Sequence, residues 1–208
     1  LRSDMGAADR YWIDGGMPKG AEDLPNVAFY QQELDRRMAY IADAGLVNAL
    51  GQSWAFSIRG EHGVEHQKHL ARYLVARYGA YPMVWTLAGE VAGYGEENRA
   101  AFLEGWREVA LEIEARDGYG HLATAHYTNE RPFADYYQDE LWMDFTLNQA
   151  GHGDYLIKAS DYYDYLAKYG DKPFVEGEAL YEFCSTLEEM GTRLCTADML
   201  RRVAYICM

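Results

Sequence analysis

A helix closed by glycine and followed by a short apolar strand recurs along this chain, and that recurrence constrains the fold more than any other feature. Ala28 to Ala44 carries apolar residues at helical spacing (Phe29, Leu34, Met38, Ile41), Gly45 stands where a helix C-cap glycine belongs, and Leu46 to Gly51 reads as a buried strand. Val64 to Tyr78 repeats the pattern with Leu70, Tyr73, Leu74 and Ala76, closes on Gly79, and leads into a strand at Pro82 to Ala88. Glu96 to Arg116 is a long helix ended by the Asp117-Gly118 turn, with a strand expected at His121 to Tyr127. A strand at Leu141 to Leu147 precedes a helix around Tyr155 to Tyr169 that ends at Gly170. Pro173 to Glu178 is the last clear strand, and Thr186 to Ile206 reads as mostly helical.

Strand starts near 46, 82, 121, 141 and 173 leave gaps of 20 to 39 residues, mostly filled by one helix, as parallel strands with crossover helices require. Two architectures satisfy this spacing, an open doubly wound sheet and a (β/α)8 barrel. The first carries a glycine fingerprint after its first strand. Here Gly93-Tyr94-Gly95 lacks the third glycine, and Gly118-Tyr119-Gly120 precedes a strand instead of following one. The expectation is therefore an α/β fold of the (β/α)8 TIM-barrel type, incomplete, with strands three to seven in this chain. Residues 1–27, punctuated by Gly6, Gly15, Gly16, Pro18, Gly20 and Pro25, read as a loop-rich segment, and 28–208 as a partial barrel domain.

Composition narrows the partners. With 49% apolar and 25% charged residues, a chain of 208 can bury a sizeable core, and neither disorder nor a fibrous repeat fits. Lys plus Arg at 19 against Asp plus Glu at 33 gives −14, a balance that repels phosphate backbones and anionic lipid. Neither nucleic acid nor a membrane is an expected partner, and no apolar run approaches the roughly 20 residues of a membrane helix. Cys184, Cys195 and Cys207, spaced by 11 and 12, match no zinc ribbon or CxxC pair.

In a barrel the C-terminal strand ends face the active site. Here they are polar. PMVWTLA runs apolar and delivers Gly89-Glu90; HLATAHYT delivers His126, with Thr124 on the same face; LWMDFTL leads to Asn148-Gln149 and on to His152; PFVEGE delivers Glu178, then Tyr181 and Glu182. Two carboxylates from different strands facing one cleft are the minimum equipment for glycoside hydrolysis: a neutral acid protonates the departing oxygen, and an ionised partner attacks or stabilises the cationic centre. Glu90 and Glu178 are the expected pair. Glu176 shares Glu178's strand parity and is expected to point inward one layer deeper, as the competing nucleophile or as a buried charge in a polar network. Glu90 as a capping carboxylate and His126 and His152 as satisfied core histidines are the structural alternatives. Trp85 is out of phase with Glu90 and is expected to face the helix layer, whereas Trp54 is a candidate sugar-stacking platform or a packed loop aromatic. His62-Gly63-Val64-Glu65-His66 spells HxxEH, the inverted zinc-peptidase string, but Gly63 sits inside it where a helix only begins. A zinc metallopeptidase is thus the minor alternative.

These segments together resemble the apiosidase-like glycoside hydrolases, a (β/α)8 family. The resemblance rests on Arg72 to Pro82 leading to Val84-Trp85-Thr86-Leu87-Ala88-Gly89-Glu90, on Asn148 to Gly153, and on Lys172 to Glu182, in the family's order over roughly residues 28 to 207. It implies a retaining mechanism with the acid/base after strand four and the nucleophile after strand seven, roles that fall on Glu90 and Glu178. Family members often carry aspartate at the acid/base position, so Glu90 departs from some of them. His126, Gln149, His152 and Tyr181 match positions that contact sugar in the family, and Glu182 and Trp54 join them as candidate substrate contacts. The family commonly works on plant cell-wall glycans, with no metal or organic cofactor. Strands one, two and eight lack counterparts, so flanking segments or a partner subunit are expected to complete the barrel. The alternative in another class is a non-catalytic carbohydrate-binding or scaffold fragment.

Overall fold

The computed structural model describes residues 24–60, 63–93, 95, 97–127, 134–149, 159–179, 181 and 195–207. Helix α1 (Val27–Phe29), a π-helical turn (Tyr30–Leu34) and α2 (Asp35–Asp43) form one helical stretch. Strand β1 (Asn48–Trp54) runs into a 3-10 turn (Ala55–Ile58), followed by α3 (Gly63–Tyr78), β2 (Met83–Gly89), α4 (Arg99–Arg116) and β3 (Leu122–Thr124). Then come β4 (Thr146–Gln149), α5 (Ala159–Tyr169), β5 (Phe174–Glu178) and α6 (Ala197–Cys207). β1, β2 and β3 pair in parallel in chain order, as do β4 and β5, and a parallel bridge from His126 to Leu147 joins the two sheets. The expected segment 1–27 lies outside the described residues up to position 23.

Two expected strands begin later than their apolar runs suggest. Gly45, at φ +75°, ends α2 in a left-handed cap in which Gly45 N–H bonds Ala42 O and Leu46 N–H bonds Ile41 O. That is a Schellman pair, so Leu46 still belongs to the helix end and the strand starts at Asn48 and runs on to Trp54. Leu46 and Val47 are 60% and 59% exposed. The Leu141–Leu147 strand is corrected more strongly, since β4 is Thr146–Gln149 and Leu141 is 99% exposed. Trp142 and Met143 form a turn whose side chains plug the core, and Asp144 accepts the Ala123 N–H at 2.7 Å. β3 is shorter than expected, Leu122–Thr124, and the hydroxyl of its last residue donates to Phe145 O (2.6 Å) just before β4.

Helices cover one face of the strands. Gln52 donates to Gln67 O on α3 (2.8 Å), Asn48 to Met38 O on α2 (3.4 Å), and Trp85 packs among the helices as its phase predicts. Arg77 on α3 pairs with Asp35 on α2, and its guanidinium, acting against partial burial, holds the Asp35 carboxyl below its ordinary value. The other face carries Ala49, Gly51, Ser53, Thr86 and Leu147, and this is the face that opens into a cavity. None of the described helices is long and apolar enough to cross a membrane.

Asp117 closes the α4–β3 connection. Its carboxylate accepts His121 N–H (2.8 Å), Tyr119 N–H (3.1 Å) and the Trp85 indole (3.1 Å). Burial pushes its pKa up, but the His121 and Tyr119 amides outweigh it and leave the carboxyl below its ordinary value. A depressed folded-state value means stability that is fully present above the unfolded value of about 3.9 and lost as the pH falls below it. We expect Asp117→Ala to destabilise by about 1–2 kcal/mol at pH 7, because the part-buried His121 amide and Trp85 indole lose their acceptor. In urea titrations, the gap between parent and variant should close below about pH 4.

Candidate active site

The site is built at one turn and three strand ends. Glu90 follows β2 at φ +53°, the only described non-glycine residue in the left-handed region. A glutamate there costs about 1–2 kcal/mol, and such strain persists only where its surroundings hold it. His126 does the holding. Its carbonyl accepts Val91 N–H (3.0 Å), its ring Nδ1 accepts Glu90 N–H (3.3 Å), and Gly93 N–H closes the turn on Glu90 O (2.7 Å). Glu90 itself is 6% exposed.

Because Nδ1 of His126 accepts, its ring proton sits on Nε2, which lies 3.0 Å from Glu178 Oε2. Gln149 donates to the other oxygen of Glu178 at 2.9 Å, and the Tyr181 hydroxyl donates to that same oxygen. Three donors converge on the Glu178 carboxylate, which is 9% exposed. His126 thus ties the Glu90 turn to the Glu178 carboxylate through two hydrogen bonds of one ring.

Glu178 and His126 line a cavity of about 220 Å³ with Trp54, Ser53, Thr86 and Leu147. Trp54 ends β1 opposite Gly89 of β2, and its ring lies on the Gly89 Cα, where an added Cβ would come within 2.3 Å of the ring carbons. Trp54 is therefore the last residue of a strand and a wall of the cavity. Gly89→Ala should tilt this ring. If the ring contributes the roughly 0.5–1.5 kcal/mol of an aromatic contact, KM for a bound sugar should rise about 2- to 13-fold with kcat little changed. Steady-state kinetics beside Trp54→Ala would check this.

Glu176 does not point where strand parity predicts. The β4–β5 register shifts between Asn148 and Gln149, so that Asn148 pairs with Glu176 and Gln149 with Glu178. Asn148 Nδ2 donates to Glu176 Oε2 (2.6 Å), as does Tyr162 on helix α5 (3.0 Å). Since Asn148 and Gln149 are consecutive and face opposite sides, Glu176 lies on the helix side and Glu178 on the cavity side. The isolated glycine within PFVEGE was the available signal, because Gly177 packs its Cα against Leu147, leaving only 2.3 Å between a built Cβ and Leu147 Cδ1. Ser53 and Thr86 also line the cavity without having been singled out: an accurate β1 boundary places Ser53 there, and on β2 Thr86 has the strand phase opposite to Trp85.

The structure brings His126, Gln149, Glu178 and Tyr181 into one hydrogen-bonded group, with Trp54 on the cavity wall and Glu90 joined to His126 through its backbone N–H. His152 and Glu182 lie outside the described residues, as does His62 of the HxxEH string. His66 is buried within α3, and among the described residues no group of three or more His, Cys, Asp or Glu side chains is arranged to hold a metal ion.

A mixed α/β fold with parallel sheets is shared with solved glycoside hydrolases. The Ruminococcus gnavus β-glucuronidase matches at a TM-score of 0.61 and 14% identity, over 83% of this chain and 33% of that one. Its complex with uronic deoxynojirimycin matches at a TM-score of 0.59 and 14% identity over the same shares. A candidate glycoside hydrolase from Bacteroides vulgatus matches at 0.53 and 17% identity, over 72% of this chain and 28% of that one. The chain spans about a third of the length of these structures. No curated protein matches it. The family model described as the apiosidase-like catalytic domain matches residues 3–208, and the chain belongs to that family.

Proposed function

We propose that this chain carries the catalytic centre of a retaining glycosidase that removes a terminal sugar from plant-type glycans, with Glu178 as nucleophile and Glu90 as general acid and then base. The observation that carries the reading is the Glu178 carboxylate, buried at a strand end, bonded by His126, Gln149 and Tyr181 and open to the cavity. Glu178 attacks the anomeric carbon while Glu90 gives its proton to the leaving oxygen. Glu90 then takes a proton from water as that water displaces Glu178 from the sugar. Trp54 offers a face for the ring, and Ser53 and Thr86 offer hydroxyls. The cavity has the scale of one sugar unit, which suits removal of a terminal residue.

The proposal extends to the fold. Five parallel strands in chain order, with helices on one face, read as strands three to seven of a (β/α)8 barrel, with flanking segments or a partner supplying the rest. The long glycoside hydrolase structures that the chain matches over a third of their length support this reading.

The test is hydrolysis of aryl apioside, arabinofuranoside, galactoside and glucoside by the folded wild type beside Glu90→Gln and Glu178→Gln. Turnover of one substrate, lost in both variants, is expected. A folded wild type that binds glycan without hydrolysing it, unchanged by Glu178→Gln, would point to a binding module.

A further inference from the structure

We infer that Glu176 is a positioning residue for Glu178: from the helix side of β5 its carboxylate holds the bulge that turns the Glu178 side chain into the cavity. The inference rests on the assignment of Glu178 as nucleophile.

Along β5 the side chains follow the strand period up to Glu176. Phe174 packs edge-on against Tyr162 and Tyr165 of α5, and Glu176 reaches the Tyr162 hydroxyl on that same side. An unbroken strand would send Glu178 there as well. It faces the cavity instead, and Ala179 returns to the cluster around Tyr162 and Tyr165, so the period is reset within Gly177-Glu178. What fixes the reset is Glu176. Its Oε1 accepts the backbone N–H of Glu178 at 3.3 Å, while its Oε2 is anchored by Asn148 at 2.6 Å and Tyr162 at 3.0 Å. The Glu178 backbone is thus tied to β4 and α5 through one side chain. Asn148 and Gln149, adjacent on β4, hold the two glutamates from opposite faces. Without the Glu176 carboxylate, the bulge loses its internal acceptor, and the Glu178 carboxylate is free to drift from the position His126 and Gln149 define. A misplacement of about 1 Å costs on the order of 10²-fold in rate.

The experiment pairs a readout on the backbone with one on turnover, in the full chain. Amide hydrogen exchange at Glu178 should rise at least ~10-fold in Glu176→Ala, with exchange in α3 and α4 unchanged. The kcat on the aryl glycoside turned over by the wild type should fall on the order of 10²-fold, with KM within about threefold. Glu176→Gln, which keeps one oxygen, should fall between the two. Tyr162→Phe, which removes one anchor on α5 that does not line the cavity, should lower kcat a few-fold in the same manner and serves if Glu176→Ala does not fold. Unchanged Glu178 exchange in a folded Glu176 variant, or a change in KM alone, overturns the inference. An inactive wild type overturns the nucleophile assignment instead. Exchange needs no substrate and still decides whether Glu176 holds the bulge.

Discussion

Replacing Glu90 by glycine is expected to remove turnover while leaving stability within about 1 kcal/mol of the parent. Glu90 sits at φ +53°, a conformation that glycine adopts freely and that costs a glutamate about 1–2 kcal/mol. The gain from relieving it is opposed by glycine's larger unfolded-state entropy, about 0.4–1 kcal/mol. The two nearly cancel. Both backbone bonds of the turn, to His126 Nδ1 and from Gly93 N–H, are made by main-chain atoms that glycine retains. Loss of a general acid and base costs about 10²- to 10⁴-fold. Urea unfolding and aryl-glycoside kinetics on one preparation separate the effects. A merely structural glutamate would give the reverse pattern, with stability lost and turnover kept.

Glu178→Gln has the larger expected effect on rate and a measurable effect on stability. Both oxygens of Glu178 accept donors, one from His126 and the other from Gln149 and Tyr181. An amide turns one of those acceptors into a donor, and the His126 ring cannot adapt by moving its proton, because Nδ1 already receives Glu90 N–H. We expect a loss of about 1–3 kcal/mol from the mispaired donors. We also expect at least ~10³-fold loss of kcat from an amide that cannot attack. The same variant combined with His126→Ala should be less destabilised than the two single changes summed, because the clash they share is removed.

Much of this arrangement is legible in the sequence, for physical reasons. β2 and β5 are announced by apolar runs that end abruptly in a carboxylate, and the flanking helices by periodicity and closing glycines. The runs around Leu46 and Leu141 mislead because backbone amides and turn packing, not hydrophobicity, decide where a strand starts. Leu46 spends its N–H on the end of α2, and Trp142 and Met143 fill the core from a turn. The strand-end rule singles out both Glu90 and Glu178. The separation of Glu176 from Glu178 does not follow from it, because a bulge is a property of two strands in register, and one strand's sequence carries only the hint of Gly177. Nor does a glutamate advertise a left-handed backbone. That conformation is imposed by His126, 36 residues away.

The central claim, that Glu178 becomes covalently bound to sugar, is tested most directly by mass spectrometry. The wild type is incubated with a 2-deoxy-2-fluoro glycoside of the sugar it hydrolyses, bearing an activated leaving group, and then digested. The account predicts a sugar adduct on the peptide containing Glu178, on that carboxylate, and absent from Glu178→Gln. An active enzyme that forms no adduct and releases product of inverted configuration, or one labelled on Glu90 or Glu176, would contradict it.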